Sequence, residues 1–567
     1  YEQILIALII IQFIKIIIKM LRTLAHRNLE SRVRSRTQNY MHVRYARISP
    51  ISTVQKPEKS AVSLINFNDA ATSFRSKSFM ELIRAYCVFQ SCRIRTLVTH
   101  SESMIRMSYI TLGDNFTDFV LKKTFFGHFC AGEDTLDMKP TIDRLENAGI
   151  GSILDYAAEA DIVEDDIRPL DEDETKIKSR VYDYHDEELC DIRAKVFESC
   201  IRSAHALQQG QSTADGFAAI KLTALGNPLL LERISTAIVE IRNLFLKFDT
   251  NKSGFVTREE FRSQYEIYFT SADMSVDEIF ESMDGDHDDR IDYVEWSNSV
   301  TIEQLHNITA HCINEGPLAK ATLTEEERQL LADMRKRINL LADIADELDV
   351  KLMVDAEHTY FQPAIDNIVL ELMKKYNRQR PLIFGTYQMY LTDSYRRLLD
   401  DTVRAEKAGY HFAAKLVRGA YMELERNRAK ELGIDSPIQP TKEDTHRNYN
   451  EGMCYLIDLM AEGKNVQLMI ASHNQTSIEL CLQRTDHYGL GPEANIYFGQ
   501  LLGMADHLTY ALGNAKYRAY KYVPYGKVKE VMPYLIRRAQ ENSDMLGGVG
   551  VELRMLEKEI TRRLKIF

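Results

Sequence analysis

Eight short apolar runs, each closing on polar residues, constrain the fold of this chain more than any other feature. GIGSILDY reaches Asp155, FAAIKLTAL carries Lys221, VKLMVDAEHTY carries Asp355 and Glu357, and PLIFGTYQMY carries Gln388. HFAAKLVRGAY runs through Arg418 to Tyr421, NVQLMIASHN closes on His473 and Asn474, ANIYFGQLLGM carries Gln500, and YRAYKYVPYG closes on Tyr522. Uninterrupted apolar runs separated by helical stretches imply parallel strands buried on both faces. Eight such units predict an α/β protein built on a (β/α)8 TIM-type barrel, with an open doubly wound sheet as the alternative. The polar residues favour the barrel, because they gather at the C-terminal ends of the runs, where barrels build active sites.

The remaining segments sort around that core. Residues 1–50 hold nine Lys or Arg against two acids, Glu2 and Glu30. The arginine-rich stretch from Arg22 to Arg47 reads as a mitochondrial transit peptide. The preceding ILIALIIIQFIKIII, broken by Lys15, is short for a membrane span of about 20 residues, which leaves an anchor as the lesser alternative. Residues 51–148 are expected to form a helical N-terminal region. The barrel is expected over 149–226 and 322–550, an insertion over 227–321, and a C-terminal tail over 551–567. The net charge of −12 argues against a nucleic-acid partner. The eight cysteines form no CxxC pair, so neither a zinc site nor a disulfide framework is suggested.

The insertion carries its own signature, that of an all-α EF-hand lobe. In DTNKSGFVTREE, oxygens fall at the calcium-loop positions: Asp249, Asn251, Ser253, the Phe255 carbonyl and Glu260, with Gly254 at the tight turn. DGDHDDRIDYVE follows 35 residues on, with Asp284, Asp286, Asp288, the Arg290 carbonyl, Asp292 and Glu295 in register. Its sixth position is Asp289 instead of glycine, where a left-handed backbone is less readily adopted. The pair is expected either to bind Ca2+ or to persist as a lobe that keeps its shape without it.

Near the C-terminus, YLIRRAQEN sets Arg537 and Arg538 one helical turn before Glu541. Two guanidiniums beside one carboxylate suit a small zwitterion, because arginine grips carboxylates with two parallel donors. A solvated helix with one ion pair has the same spacing. Lys221 admits either a Schiff-base role or an ion pair with a neighbouring strand-end acid. No GxGxxG follows a strand, and GGVG at Gly547 to Gly550 lacks that context, so a dinucleotide-binding Rossmann site is not supported.

KLVRGAY (Lys415–Tyr421), ASHN (Ala471–Asn474), DAEHTYFQP (Asp355–Pro363) and YLIRRAQEN (Tyr534–Asn542) together resemble the proline dehydrogenase family. The resemblance runs from about Phe125 to Asn542, interrupted by the inserted lobe. It implies an FAD enzyme that oxidises L-proline to Δ1-pyrroline-5-carboxylate and passes electrons to ubiquinone, on the matrix side of the mitochondrial inner membrane. It implies that Arg537 and Arg538 bind the substrate carboxylate and that Lys221 adds positive charge or an ion pair. Tyr421, Leu501 and Tyr522 are implied to wall the ring, with Asp355 near it, and Glu159 to pair with an arginine and close the site. Gln388, Lys415, Val417, Gly419, Ala420, Ser472, His473, Asn474 and Gln500 are implied to contact the flavin. The similar hydroxyproline dehydrogenases carry a small residue where Tyr522 stands, so proline is expected over 4-hydroxyproline. A calcium-responsive interaction protein with an inactive barrel is the alternative from another class. Oligomeric state is not legible.

Overall fold

The structure, a computed structural model, describes residues 65–157, 186–208, 215–270, 274–544 and 546–564. The expected targeting segment 1–50 and Glu159 lie outside these residues. Among the described residues ten strands are formed in chain order: β1 (Gly151–Tyr156), β2 (Gly216–Ile220), β3 (Phe255–Thr257), β4 (Arg290–Asp292), β5 (Val350–Val354), β6 (Ile383–Gln388), β7 (Phe412–Val417), β8 (Val466–Ala471), β9 (Ile496–Leu501) and β10 (Arg518–Tyr525). Eight of them close a ring in the order β1-β10-β9-β8-β7-β6-β5-β2, the (β/α)8 barrel. All eight apolar runs became strands of this ring. Periodicity is a strong signal here because β2 and β6 are buried at every residue. β10 continues past the expected end at Tyr522 to Tyr525.

Chain contacts divide the protein into two compact units. One comprises Gly151–Ser472 and Glu493–Gly499; the other comprises the described residues up to Ile150, His473–Pro492 and those from Gln500 onward.

In the unit spanning Gly151–Ser472 the barrel strands pair in parallel, with Val354 opposite Gly385 and Gln388 opposite Val417. Phe217, Phe384 and Tyr497 meet edge to face, with centroids 5.3–6.2 Å apart, and the Tyr497 hydroxyl donates to Asp215 at 2.6 Å. Aromatic edge-to-face packing of this kind adds about 1 kcal/mol per pair beyond the area it buries. Helix Glu325–Glu347 leads into β5 and opens on a capping box between Thr324 and Glu327.

Between β2 and that helix lie two helix–loop–helix segments joined by antiparallel β3 and β4, with Val256 opposite Ile291. Phe245, Phe248, Phe261, Phe280 and Trp296 form their shared core. The two loops match residue for residue. Lys252 and Gly254 in the first, and His287 and Asp289 in the second, all have positive φ. Asp249 accepts the Ser253 and Gly254 amides, and Asp284 accepts those of Asp288 and Asp289. Asp289 thus adopts the left-handed turn (φ +65°) without glycine, its carboxylate taking Arg258 at 2.6 Å.

In the other unit the N-terminal region is helical, and the segment read as a tail is instead most of a packed helix, Leu546–Leu564. Leu553, Leu556 and Ile560 bury against Phe74, Leu82 and Phe89 of the N-terminal region. Arg563 donates to the Phe74 and Lys77 carbonyls. An apolar stripe that finds a partner stays ordered however close it lies to a chain end.

Candidate active site

In the unit spanning Gly151–Ser472, charged groups stand at the C-terminal ends of successive strands. Lys221, just after β2, places Nζ 3.3 Å from the buried Asp155 carboxylate on β1. Lys221 thus forms an ion pair with a neighbouring strand-end acid. Lys415 on β7 pairs with Asp355, which follows β5; the two side chains are 7% and 15% exposed. Opposite charges this dry attract strongly but must satisfy their remaining donors and acceptors. Between them, Gln388 closes β6 and donates from Nε2 to the Glu357 carbonyl at 2.7 Å.

Glu357 is itself buried and accepts the Thr223 amide and hydroxyl at 3.3 and 2.6 Å. Burial pushes its carboxyl up to about 7, although the Thr223 bonds and the Lys221 charge pull the other way. Arg418 donates to the Ser472 hydroxyl (2.8 Å) and to His446 Nδ1 (2.9 Å), and lies 4.2 Å over the Tyr449 ring. Tyr421 packs on the His358 ring at a centroid distance of 4.2 Å. His358 Nδ1 is bridged to Glu425, which also accepts both donors of Thr359.

Two features here suit a planar, polar cofactor. Gly419 and Ala420 leave exposed backbone after β7, and Gly419 (φ +133°) has no room for a Cβ, which would fall 2.5 Å from the Tyr390 ring. His358 Nε2 is buried with no hydrogen-bond partner. Val417 lies just before this stretch, half-buried.

In the other unit, His473 Nε2 accepts the Leu501 amide at 3.1 Å, which places the ring proton on Nδ1. Asn474 caps helix Gln475–His487 by accepting the Ser477 amide. Gln500 is buried and accepts the Thr509 hydroxyl at 2.9 Å. Leu501 and Tyr522 are half-buried, and the Leu502 amide donates to the Tyr522 carbonyl at 2.9 Å. On helix Met532–Asp544, Arg538 is buried, pairs with Glu541 at 2.6 Å, and lies 4.9 Å over the Tyr534 ring. Its Nε has no acceptor. A buried guanidinium with a spare donor is costly unless something anionic completes it. Arg537, half-buried, precedes it.

In the inserted segment, oxygens of Asp284, Asp286 and Glu295 lie within 4.8 Å of one another. Lys407, in the last turn of helix Ser394–Ala408, reaches in among the acids: its Nζ is 3.0 Å from Asp286, 2.7 Å from Asp292 and 3.6 Å from Glu295. In the first loop Glu260 is turned to the Thr250 hydroxyl and the Asn251 amide.

Asp155, Glu357 and Arg418 were read from the sequence as strand-end polar residues without a particular role, and His358 was not singled out. His358 and Arg418 sit inside motifs already singled out. On β10 the charges are Arg518 at its start and Lys521 in its middle, and the place of Lys521 inside an apolar run is the signal for a buried cation.

A closed parallel barrel with ion pairs at its C-terminal strand ends is the architecture of a barrel enzyme. The proline dehydrogenase family profile matches residues 138–550. Proline dehydrogenase 1, mitochondrial, of Drosophila melanogaster is 34% identical over 550 residues, covering 88% of this chain and 81% of that protein. The Homo sapiens protein of the same name is 34% identical, with 89% and 90% covered. The hydroxyproline dehydrogenase of Xenopus laevis is 30% identical, with 91% and 93% covered. Among solved structures, the proline utilization A protein of Bdellovibrio bacteriovorus superposes with a TM-score of 0.50 at 16% identity, a likeness of fold. That match covers 84% of this chain and 38% of that longer one. The chain belongs to the proline dehydrogenase family.

Proposed function

We propose that this chain oxidises L-proline to Δ1-pyrroline-5-carboxylate with FAD and hands the electrons to ubiquinone, in the mitochondrion on the matrix side of the inner membrane. The observation that carries the reading is the buried Arg538 guanidinium, whose Nε lacks an acceptor. In this reading Arg537 and Arg538 grip the proline carboxylate, and Tyr421, Leu501 and Tyr522 wall the ring. Lys221 and Asp355 stand near the substrate, each already paired, and so shape the field without exchanging a proton. Proline reacts as its neutral amine, for which no dedicated base is assigned.

The flavin, when bound, supplies the two-electron acceptor. Gln388, Lys415, Val417, Gly419, Ala420, Ser472, His473, Asn474 and Gln500 would hold it. The Lys415 charge suits the anionic reduced form. Exclusion of water around the bound amino acid strengthens every one of these charge contacts. The purified protein is expected to be yellow and to bleach on addition of L-proline without oxygen. A flavin that stays oxidised under proline removes the substrate assignment. Bleaching by trans-4-hydroxy-L-proline alone would install the second reading, which the hydroxyproline dehydrogenase relatives keep in view.

The inserted segment is proposed to be a calcium-binding EF-hand pair, on the strength of its two matching loops. Calcium entering the second loop must displace the Lys407 ammonium. Lys407→Gln should therefore tighten one of two calcium sites by about tenfold, a loss of about 1.4 kcal/mol of competing attraction. Glu260→Gln should abolish the other. Calorimetric titration reads both, and two sites indifferent to Lys407→Gln would refute the competition. Proline-dependent dye reduction with calcium and with chelator tests whether the lobe tunes turnover.

A further inference from the structure

The turn after β9 is built around a buried lysine that the proposed chemistry does not use. Lys521, on β10 beside Tyr522, is fully buried. Its three ammonium hydrogens find three acceptors: the Leu501 carbonyl at 3.2 Å, the Met504 carbonyl at 2.6 Å and the Asp506 carboxylate at 2.8 Å. Asp506 takes a second ammonium, that of Lys77. From the other side, the buried Glu552 accepts the Ala505 and Asp506 amides at 3.0 and 3.2 Å. The backbone between these clamps is contorted. Gly503 has φ +78° and no space for a Cβ, which would lie 2.4 Å from the His128 carbonyl oxygen, and Ala505 has φ +51°. A non-glycine residue in the left-handed region persists only where its surroundings hold it there.

What the turn touches gives it functional weight. It begins at Leu501 and its Leu502 amide bonds the Tyr522 carbonyl, so two proposed ring-wall residues are set by it. Met504 Sδ receives Asn542 Nδ2 at 3.7 Å, and the same amide donates to the Arg538 carbonyl at 2.7 Å. The helix that carries the arginines therefore rests on this turn. Two of the four charged groups, Lys77 and Glu552, lie outside residues 138–550, the span of the family match.

We propose that Lys521, Asp506, Glu552 and Lys77 are positioning residues for substrate, and that the N-terminal helices and the C-terminal helix act through them to set Leu501, Tyr522 and Arg538. Asp506 is held well below the usual carboxylate range: burial alone would raise it, and the two lysines overrule burial. Asp506 is thus the charged centre of the network, whereas burial and the neighbouring Asp506 charge push the Glu552 carboxyl up to about 7.

The inference rests on the proline reading above, and its test separates the two. Glu552→Gln and Lys77→Met are made in the full-length, flavin-loaded protein. The readouts are KM and kcat for L-proline, the Kd of tetrahydrofuran-2-carboxylate (a proline isostere without the N–H) and the melting midpoint. Each variant should raise KM and the analogue Kd together by at least fivefold, with kcat within twofold. Glu559→Gln is the control, since Glu559 is a buried carboxylate on the same helix, bonded to Arg562 and Arg563 and not to the turn. It should lower the melting midpoint and leave KM alone. Unmoved KM and Kd in Glu552→Gln and Lys77→Met, or an equal rise in Glu559→Gln, would overturn the positioning role while leaving the substrate assignment intact. A wild-type protein that binds neither proline nor the analogue would overturn the substrate assignment, and with it this inference.

Discussion

Arg538→Met should lower kcat/KM for L-proline about a thousandfold, the equivalent of roughly 4 kcal/mol of binding lost in ground and transition states alike. Charge-assisted hydrogen bonds contribute about 1.5–3 kcal/mol each, and a two-pronged grip on a carboxylate involves two of them. Arg538 is placed to spend that energy, being buried, oriented by Glu541 and left with a free Nε donor. Arg537→Met, at a half-buried position, should cost about a hundredfold, nearer 3 kcal/mol. Arg538→Lys keeps the charge but loses the planar fork, so it should recover only part of the loss. Steady-state dye reduction and analogue binding measure all three. An Arg538→Met enzyme with unaltered proline affinity would mean that this guanidinium faces something other than substrate.

Lys415→Met should destabilise the barrel by about 3 kcal/mol, because it removes the ammonium paired with the Asp355 carboxylate in a largely dry site. Asp355 keeps 15% exposure, so some water reaches it and the cost stays at the lower end for a broken buried pair. Removing both charges, as Lys415→Met with Asp355→Leu, should restore at least half of the loss. Two neighbours that share one interaction are expected to depart from additivity in this way. Denaturant midpoints of the two single variants and the double variant complete the cycle. A simple sum of the single effects would show that the two side chains do not hold each other. The single variant should also retain less flavin, read as the flavin-to-protein absorbance ratio after gel filtration, if Lys415 holds the cofactor as proposed.

The two matching loops of the inserted segment show what kind of information a linear sequence transmits well. Their oxygens fall at fixed short spacings, and such a loop folds mostly on its own neighbours. The positive-φ turn at Asp289 was foreseeable as a moderate cost at position 6, and it is met there by Arg258. The Lys407 ammonium among Asp286, Asp292 and Glu295 was not foreseeable, since 115 residues separate Lys407 from Asp292. Nothing in a solvated-looking helix end marks one lysine as the partner of a distant loop. The strand ends behave the same way. Lys221, Asp355 and Lys415 were legible as candidates, whereas their pairings, Lys221 with Asp155 and Lys415 with Asp355, depend on which strands become neighbours in the ring.

The order of elements, the barrel class, the inserted lobe and the arginine motif were determined by the sequence itself. Burial of strands on two faces and of helices on one imprints periodicities that survive without coordinates. The turn around Lys521 was decided only by the tertiary structure. There Lys77 from one end of the chain and Glu552 from the other converge on Asp506. Charge pairing acts through distances of a few ångströms in space, and residues hundreds of positions apart acquire such distances only once the chain has folded.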